Sequence, residues 1–481
     1  MGSRIMKLFR RLPGRVRFAL VVIGINMVIF TAFRVIFWAL FRSSAPEAQP
    51  SALLWAWYLG FKFDLRLSLL ICLPVVALSW IPGLNVLRSS RARWMWLVYF
   101  SAMAAFLILT YFVDLGHYDY LHERLNANAV DYLLAPMIAL QFVWETYPVI
   151  PALLILGLIA IGYGWIVHRF AYRELRQIGI PLARWAQVVC FIVALILYGF
   201  GLYGKWSRYP LRWSEAYFST NPFVSALALN PVLFFFDTRE FKTLRFDAKE
   251  VRKHYDLVAD LLEVDNPDRA SLDFSRYVVP EKKLPGRPNI VFIQLESFAG
   301  FKVGILGNAI NPSPYFDEIA RKSLLFTNFF ITRPPTARAV FTVMFGTPDV
   351  NTPHSASRNP LVVRQHTLVN ALQGYKKMYF LGGSATWGNI RAILAHNLDD
   401  FEIYEEGDFS TPPDDVWGIS DLHLFEEANQ VLRNQEKPFF ALIQTAGNHR
   451  PYTIPKDKRG FELVEVEDEK LKENGFESLE S

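Results

Sequence analysis

PNIVFIQLES, residues 288–297, and RPPTARAVFTVMFG, residues 333–346, decide how the chain is read. The first is an almost unbroken apolar run opened by Pro-Asn and closed by Glu-Ser, the pattern of a parallel strand covered on both faces. Glu296 then stands at the carboxyl end of that strand, the edge at which open α/β sheets bind ligands. Taken alone, such an acid is as well explained by a helix cap or a solvated loop. The second stretch reads as a loop turning into a helix, with two prolines at its start and Val340, Phe341, Val343 and Met344 anchoring it in a core. Thr336 falls in the first turn. Threonine is a favoured cap there. It is equally a nucleophile whose alkoxide, like a bound phosphate, is stabilised by the amides and positive dipole end of the helix. A divalent cation shared with Glu296 would supply the activation a neutral hydroxyl needs. Between the two stretches, SPYFDEIARKSLLFTNFF (313–330) reads as a short helix followed by a strand.

These residues, with GGSATWGNIR (382–391), VWGISDLHLFEEA (416–428) and PFFALIQTAGNHRPY (438–452), resemble successive blocks of one family. It is that of the sulfatase-like phosphoglycerol transferases of the alkaline phosphatase superfamily, typified by lipoteichoic acid synthase. The resemblance implies that Glu296 and Thr336 bind a catalytic divalent metal, Mn2+ or Mg2+ with Zn2+ as the alternative, and that Thr336 is also the nucleophile. It further implies that His449 contacts the substrate phosphate. Trp387, Asn389 and Arg391 would line the headgroup pocket, and Arg338 beside the threonine would bind substrate.

The 481 residues allow two or three domains, and 52% hydrophobic content with a mean hydropathy of +0.18 is too apolar for an ordinary soluble enzyme. The net charge of +5 and pI near 9.0 do not point to nucleic acid, because the excess is clustered at the amino terminus and in short loops between apolar runs. Cys72 and Cys190 both lie inside apolar runs, which leaves no disulfide framework.

Apolar runs at about 18–41, 53–81, 94–113, 148–168 and 185–203 predict five transmembrane helices, the first too long for a signal-peptide core. Lys7, Arg10, Arg11, Arg15 and Arg17, then Arg88, Arg91 and Arg93, then Arg169, Arg173, Arg176 and Arg184 occupy alternate connections. The positive-inside rule places them in the cytoplasm and everything after the fifth helix outside, in a multi-pass protein of the cytoplasmic membrane. Lys62, Asp64 and Arg66 interrupt the second helix. Their favoured account is a position near the outer interface with Asp64 paired, and the alternative is a headgroup path. Arg34 raises the same question. Residues 120–145, with Arg124, Asp131 and Glu145 among Leu, Ile and Phe, read as an interfacial amphipathic helix.

The expected architecture is therefore a five-helix transmembrane α-domain (1–205), an extracytoplasmic connector (206–285) and a three-layer α/β sulfatase-like domain (286–481), the last incomplete. In the connector, 213–238 holds apolar stretches too short to span, and 248–265 has an amphipathic helical spacing. In the outer domain, strands are predicted at 289–295, 324–330, 377–381 and 438–444, and helices near 366–373 and 420–434. GNHRPY again places polar groups after a strand, whereas His354, His366, His396 and His423 have no comparable setting.

The resemblance implies transfer of a phosphoglycerol-type headgroup from a phospholipid donor to an extracytoplasmic glycan or polymer through a phospho-threonine. A sulfatase is the second reading, but its matured Cys or Ser is replaced here by Thr336. Phosphoethanolamine transferases typically brace their outer domain with disulfides, and this outer region has no cysteine. The third reading is an inactive member that binds lipid or glycan. It arises because the family's Gly-Asp-His motif, which completes its metal site, does not occur before Ser481. Two recognisable ligands are few for a metal, so these residues alone are expected to bind it poorly and turn over little.

Overall fold

The computed structural model describes residues 9–475 apart from 10, 45–47, 135–136, 138–143, 145–148, 173–182, 220, 242–246, 283–284, 351–354, 363–364, 450–451 and 456–465. Five long helices come first: α1 (Gly14–Phe41), α2 (Pro50–Leu78), α3 (Ser90–Leu121), α4 (Val149–Ile166) and α5 (Arg184–Tyr203). Helix α4 runs on to Ala171 through one wider π turn. Four of them, α1, α3, extended α4 and α5, are long and apolar enough to cross a membrane. Helix α2 is as long, but its three central charges set it apart from those four.

Helices α1 to α3 share an interior built from Phe18, Val22 and Phe30, from Leu67, Ile71 and Val75, and from Trp96, Phe100 and Ile108. Helix α5 has no fully buried residue: Phe191 meets Trp80 and Tyr198 donates to Leu69 O, while Val188, Leu195, Ile196 and Leu197 are exposed. Each charge of α2 has a partner: Asp64 pairs with Arg34 of α1, Arg66 donates to the carbonyls of Leu202 (2.8 Å) and Leu211 (2.5 Å), and Lys62 lies over the Tyr58 ring at 5.0 Å.

The connector closes this end. Two short helices, α6 (Pro222–Ala228) and α7 (Pro231–Thr238), each begin with proline after an asparagine whose side chain accepts the first free amides. Phe223, Val224 and Leu227 of α6 pack with Phe37, Phe41 and Tyr118 from the bundle. Asn230 also reaches sideways, donating to Asp64 Oδ1 (2.8 Å) and to Tyr111 Oη (2.9 Å). The expected amphipathic helix is α8 (Ala248–Leu261), whose Tyr255 and Ala259 pack on Val264, Leu272 and Phe274.

The expected interfacial helix at 120–145 is not what the structure shows. Helix α3 runs to Leu121, then His122 takes a left-handed conformation and Arg124 turns inward to Asp114 (2.6 Å), both buried. The chain continues as a 3₁₀ stretch, Ala127–Leu134, and most of the remainder lies outside the described residues. For Arg124, one of the charges that made the segment look amphipathic, a buried ion pair takes the place of a polar face on water.

The domain after the connector is built on one parallel sheet of β1 (Ile290–Gln294), β2 (Lys376–Leu381), β3 (Phe401–Tyr404) and β4 (Phe439–Gln444), in the order β1-β4-β2-β3. The period of two sorts its side chains. Tyr379, Leu381, Phe440 and Leu442 meet Val340, Phe341 and Met344 of α9 (Thr336–Phe345) and Ile390, Ile393 and Leu394 of α10 (Ile390–Asn397). Met378, Phe380, Phe439, Ala441 and Ile443 meet Leu424 and Ala428 of α11 (Asp421–Arg433) on the other face. Helices on both faces of a parallel sheet give the three-layer arrangement.

Several local expectations fail. Residues 324–330 form no strand: Leu324, Phe326, Phe329 and Phe330 are exposed, and no strand of the described sheet lies beside them. The helix expected near 366–373 shrinks to one 3₁₀ turn, Val369–Ala371. Strand β1 is at the edge of the described sheet and is not covered on both faces, since Val291 and Ile293 are 48% and 47% exposed. Strand β3 and helix α10 went unforeseen, the first because four residues, FEIY, show too little alternation to stand out.

Candidate active site

The carboxyl ends of β1 and β4 are tied together beyond the sheet. Thr445 donates its amide to Gln294 O (3.1 Å), and its hydroxyl accepts the Glu296 amide (3.0 Å). Ser297, directly after the acid, has φ 57°, a left-handed conformation uncommon outside glycine, asparagine and aspartate. This turn directs the Glu296 carboxylate back over the sheet end. There Gln294 Nε2 donates to its Oε2 (3.3 Å), and Thr336 Oγ1 donates to its Oε1 (2.6 Å). Both partners are buried, Glu296 9% and Thr336 5% exposed.

Thr336 does not cap its helix. Pro335 holds that position, and the threonine hydroxyl is spent on the carboxylate. The two stretches that opened the sequence reading thus converge, 40 residues apart in the chain.

His449 joins them from the loop after β4, with Nε2 3.6 Å from Glu296 Oε1 and its ring stacked on Trp417 at 4.4 Å between centroids. That loop is anchored by Asp421 at the start of α11, which accepts the amides of Ala446 (2.8 Å) and Gly447 (3.0 Å). Burial pushes the Asp421 carboxyl above the usual carboxylate range, against those two hydrogen bonds. Glycine at 447 leaves room for this contact, since a Cβ there would lie 2.5 Å from Asp421 Oδ2 and push the carboxylate aside.

A cavity of about 800 Å³ opens over this cluster. Glu296, Thr336 and His449 lie on its domain side with Trp387, Arg391 and Trp417. Arg391 is held by Glu405 (2.7 Å) and Glu215 (3.4 Å). Burial opposes its charge, but the Glu405 hydrogen bond and the two carboxylates outweigh it and raise the guanidinium above its ordinary value. The other two expected substrate contacts sit off the cavity. Asn389 Oδ1 accepts from Ser214 of the connector (3.1 Å), and Arg338 donates to Asp349 O (3.2 Å) and lies 3.8 Å from its carboxylate.

Glu215, Trp417 and Thr445 were missed as site residues. Thr445 ends a strand and Trp417 lies in a motif already noted, so position gave a signal for both. Glu215 had none, because it acts across 176 residues on Arg391.

The donors that converge here are oxygens of Glu296 and Thr336 with an imidazole nearby, a set that suits a hard divalent cation in kind. Among the described residues no group of three or more His, Cys, Asp or Glu is placed to hold a metal.

Residues 288–468 match the Sulfatase family model. The chain is 23% identical over 185 residues to a lipoteichoic acid synthase of Staphylococcus saprophyticus subsp. saprophyticus, covering 37% of this chain and 28% of that protein. It is 25% identical over 187 residues to the lipoteichoic acid synthase of Staphylococcus aureus strain USA300, with the same two coverages, 37% and 28%. The match therefore spans little more than a quarter of the length of these relatives. Among solved structures, a protein in the alkaline phosphatase superfamily from Vibrio parahaemolyticus aligns with a TM-score of 0.39 and 26% identity, over 47% of this chain and 54% of that one. The lipoteichoic acid synthase LtaP from Listeria monocytogenes aligns with a TM-score of 0.33 and 23% identity, over 37% and 45% respectively.

Proposed function

Because residues 288–468 are a sulfatase-family domain similar to part of the lipoteichoic acid synthases, we propose that the chain transfers a phosphoglycerol-type headgroup from a membrane phospholipid to an extracytoplasmic glycan or polymer. The observation that carries this reading is the buried 2.6 Å hydrogen bond from Thr336 Oγ1 to Glu296 Oε1, at the floor of a cavity shared with the membrane domain.

Thr336 Oγ1 attacks the donor phosphorus, the bond to the diacylglycerol oxygen breaks, and the headgroup phosphate is left esterified to Thr336. Glu296 Oε1 is placed to take the hydroxyl proton, and His449 is the neighbouring imidazole that can carry it to the departing diacylglycerol oxygen. An acceptor hydroxyl then displaces Thr336 from phosphorus and its proton returns along the same groups. The amino end of α9 faces the transferred phosphate with its positive dipole end, and Arg391 supplies a fixed cation on the cavity wall.

A divalent cation, Mn2+ or Mg2+, would be held by Glu296 and Thr336, and when bound it supplies Lewis-acid activation of the hydroxyl. With these two oxygen donors the full chain is expected to bind Mn2+ weakly, and Glu296→Ala to remove that binding. Titration followed by the Mn2+ electron paramagnetic resonance signal reads this without turnover. Equal affinity in wild type and Glu296→Ala would move the metal site elsewhere.

The reading also needs the outer domain on the far side of the cytoplasmic membrane, with the amino terminus in the cytoplasm. From the arginine distribution, reporter fusions ending at residue 88 or 175 are expected to report cytoplasm and fusions after 206 to report outside. A cytoplasmic signal at 285 would remove the lipid-donor reading. The direct test is incubation of the full chain with phosphatidylglycerol labelled in its headgroup glycerol, in the presence of Mn2+. Label on Thr336 is expected, and no label on protein or polymer overturns the proposal.

A further inference from the structure

The large cavity is walled on one side by a piece of chain that belongs to the membrane, not to the α/β domain. Helix α5 has 20 residues, roughly 30 Å of helix and the thickness of a bilayer core, so its end at Tyr203 falls at the water boundary. There Gly204 turns the chain back, with the Leu211 amide donating to Tyr203 O (2.8 Å). Arg66 closes the base of the loop through Leu202 O and Leu211 O, and Tyr203 Oη donates to Arg208 O (2.5 Å).

The loop is fixed to the outer domain as well. Arg208 Nη1 donates to Val416 O, beside the tryptophan that stacks on His449. Lys205 pairs with Glu215 (2.6 Å), and the same carboxylate accepts from Thr386 Oγ1 (3.1 Å) and Arg391 (3.4 Å). Phe200, Tyr203, Trp206 and Tyr209 line the cavity opposite Thr336, and Lys205 and Arg208 are the cations on their side. Trp206 is 91% exposed and sits 5.8 Å, ring centre to ring centre, from the half-exposed Phe200 on the outward face of α5. An aromatic pair at the end of a spanning helix is placed where tryptophan favours the headgroup level of a bilayer.

We propose that residues 200–209 are the donor-binding wall: an anionic glycerophospholipid moves in sideways from the outer leaflet, its glycerol backbone and acyl esters against Phe200 and Trp206 and its phosphate toward Thr336, the cationic side of the cavity favouring it over a zwitterionic lipid. Arg208, whose partner Val416 O is a neutral carbonyl, balances the phosphate charge on the way, while Lys205 is held by Glu215. This rests on the lipid-donor reading above and adds to it the route and the residues that take the diacylglycerol part. A headgroup arriving from water would need no contact with Phe200 or Trp206.

The test uses the full chain in phosphatidylcholine nanodiscs doped with a phosphatidylglycerol that carries a diazirine near the acyl carbonyl. A phosphatidylcholine with the same diazirine is the control. Irradiation and peptide mapping are expected to show phosphatidylglycerol cross-links enriched at least fivefold over the control within 200–209, reduced fivefold or more by Trp206→Ala and retained in Thr336→Ala. Equal labelling by both lipids, or phosphatidylglycerol cross-links confined to other outward faces such as Leu154 and Leu158 of α4, overturns the proposal. The two readings separate cleanly. Headgroup transfer without cross-links at 200–209 sinks the lipid route alone, whereas enriched cross-links without transfer support the wall and sink the reaction.

Discussion

Thr336→Ala is expected to abolish labelling of the protein from headgroup-labelled phosphatidylglycerol and to lower transfer roughly 10³-fold or more, as removal of a nucleophile does elsewhere. Thr336 is 5% exposed and lines the cavity, and its hydroxyl donates to a carboxylate instead of capping its helix. Its loss removes the attacking atom and one hydrogen bond to a buried carboxylate, a stability cost of about 1.5–3 kcal/mol, with Gln294 still donating to Glu296. Thr336→Ser keeps the oxygen and its donor role, so part of the label should survive. Melting temperatures of both variants close to wild type, measured beside the label, separate lost chemistry from lost structure. If Thr336→Ala still takes up label from the lipid, the phosphate is carried elsewhere and the Glu296 contact is purely structural.

How far the sequence could be read depended on whether the deciding interaction was local. β1, β2, β4 and the Thr336 helix were readable because apolar runs with proline or polar ends mark buried elements by themselves, and Glu296 and His449 followed from their places after strands. Residues 324–330 look like the same kind of run, yet a strand exists only where a neighbour takes its hydrogen bonds, and the described sheet offers 324–330 none. Arg338 and Asn389 stand beside cavity residues in sequence but turn to Asp349 and Ser214. Side-chain direction in a turn is set by such partners, which no local pattern encodes. Glu215 and the loop after Tyr203 were unreadable for the converse reason, since they act on residues 176 and 208 positions away.

The second large effect is expected in the membrane domain, where Asp64→Ala should cost about 3–5 kcal/mol, the usual penalty for leaving one member of a buried ion pair alone. Asp64 is 1% exposed and takes Arg34 in a forked contact, Nη2 to Oδ1 at 2.6 Å and Nε to Oδ2 at 3.1 Å. Arg34 spends its remaining donors on the carbonyls of Gly60 (3.1 Å), Leu227 and Leu229 (3.2 Å), so all five N–H groups are used. Glycine at position 60 makes the room, because a Cβ there would lie 2.4 Å from the guanidinium carbon. The pair therefore joins α1, α2 and the end of α6, and Asn230 extends it to α7 and, through Tyr111, to α3. Removing the carboxylate leaves a guanidinium facing Asn230 with no counter-charge, in a region with little water to replace it. Arg34→Met with Asp64→Leu removes both charges, and the double variant should recover a substantial part of the loss, since an apolar pair of similar volume is often neutral. Thermal unfolding in detergent of the wild type, both single variants and the double gives the coupling directly. Additive single effects with no recovery in the double would mean that the two residues stabilise the bundle independently, and that the charges interrupting α2 are tolerated for a reason other than their pairing.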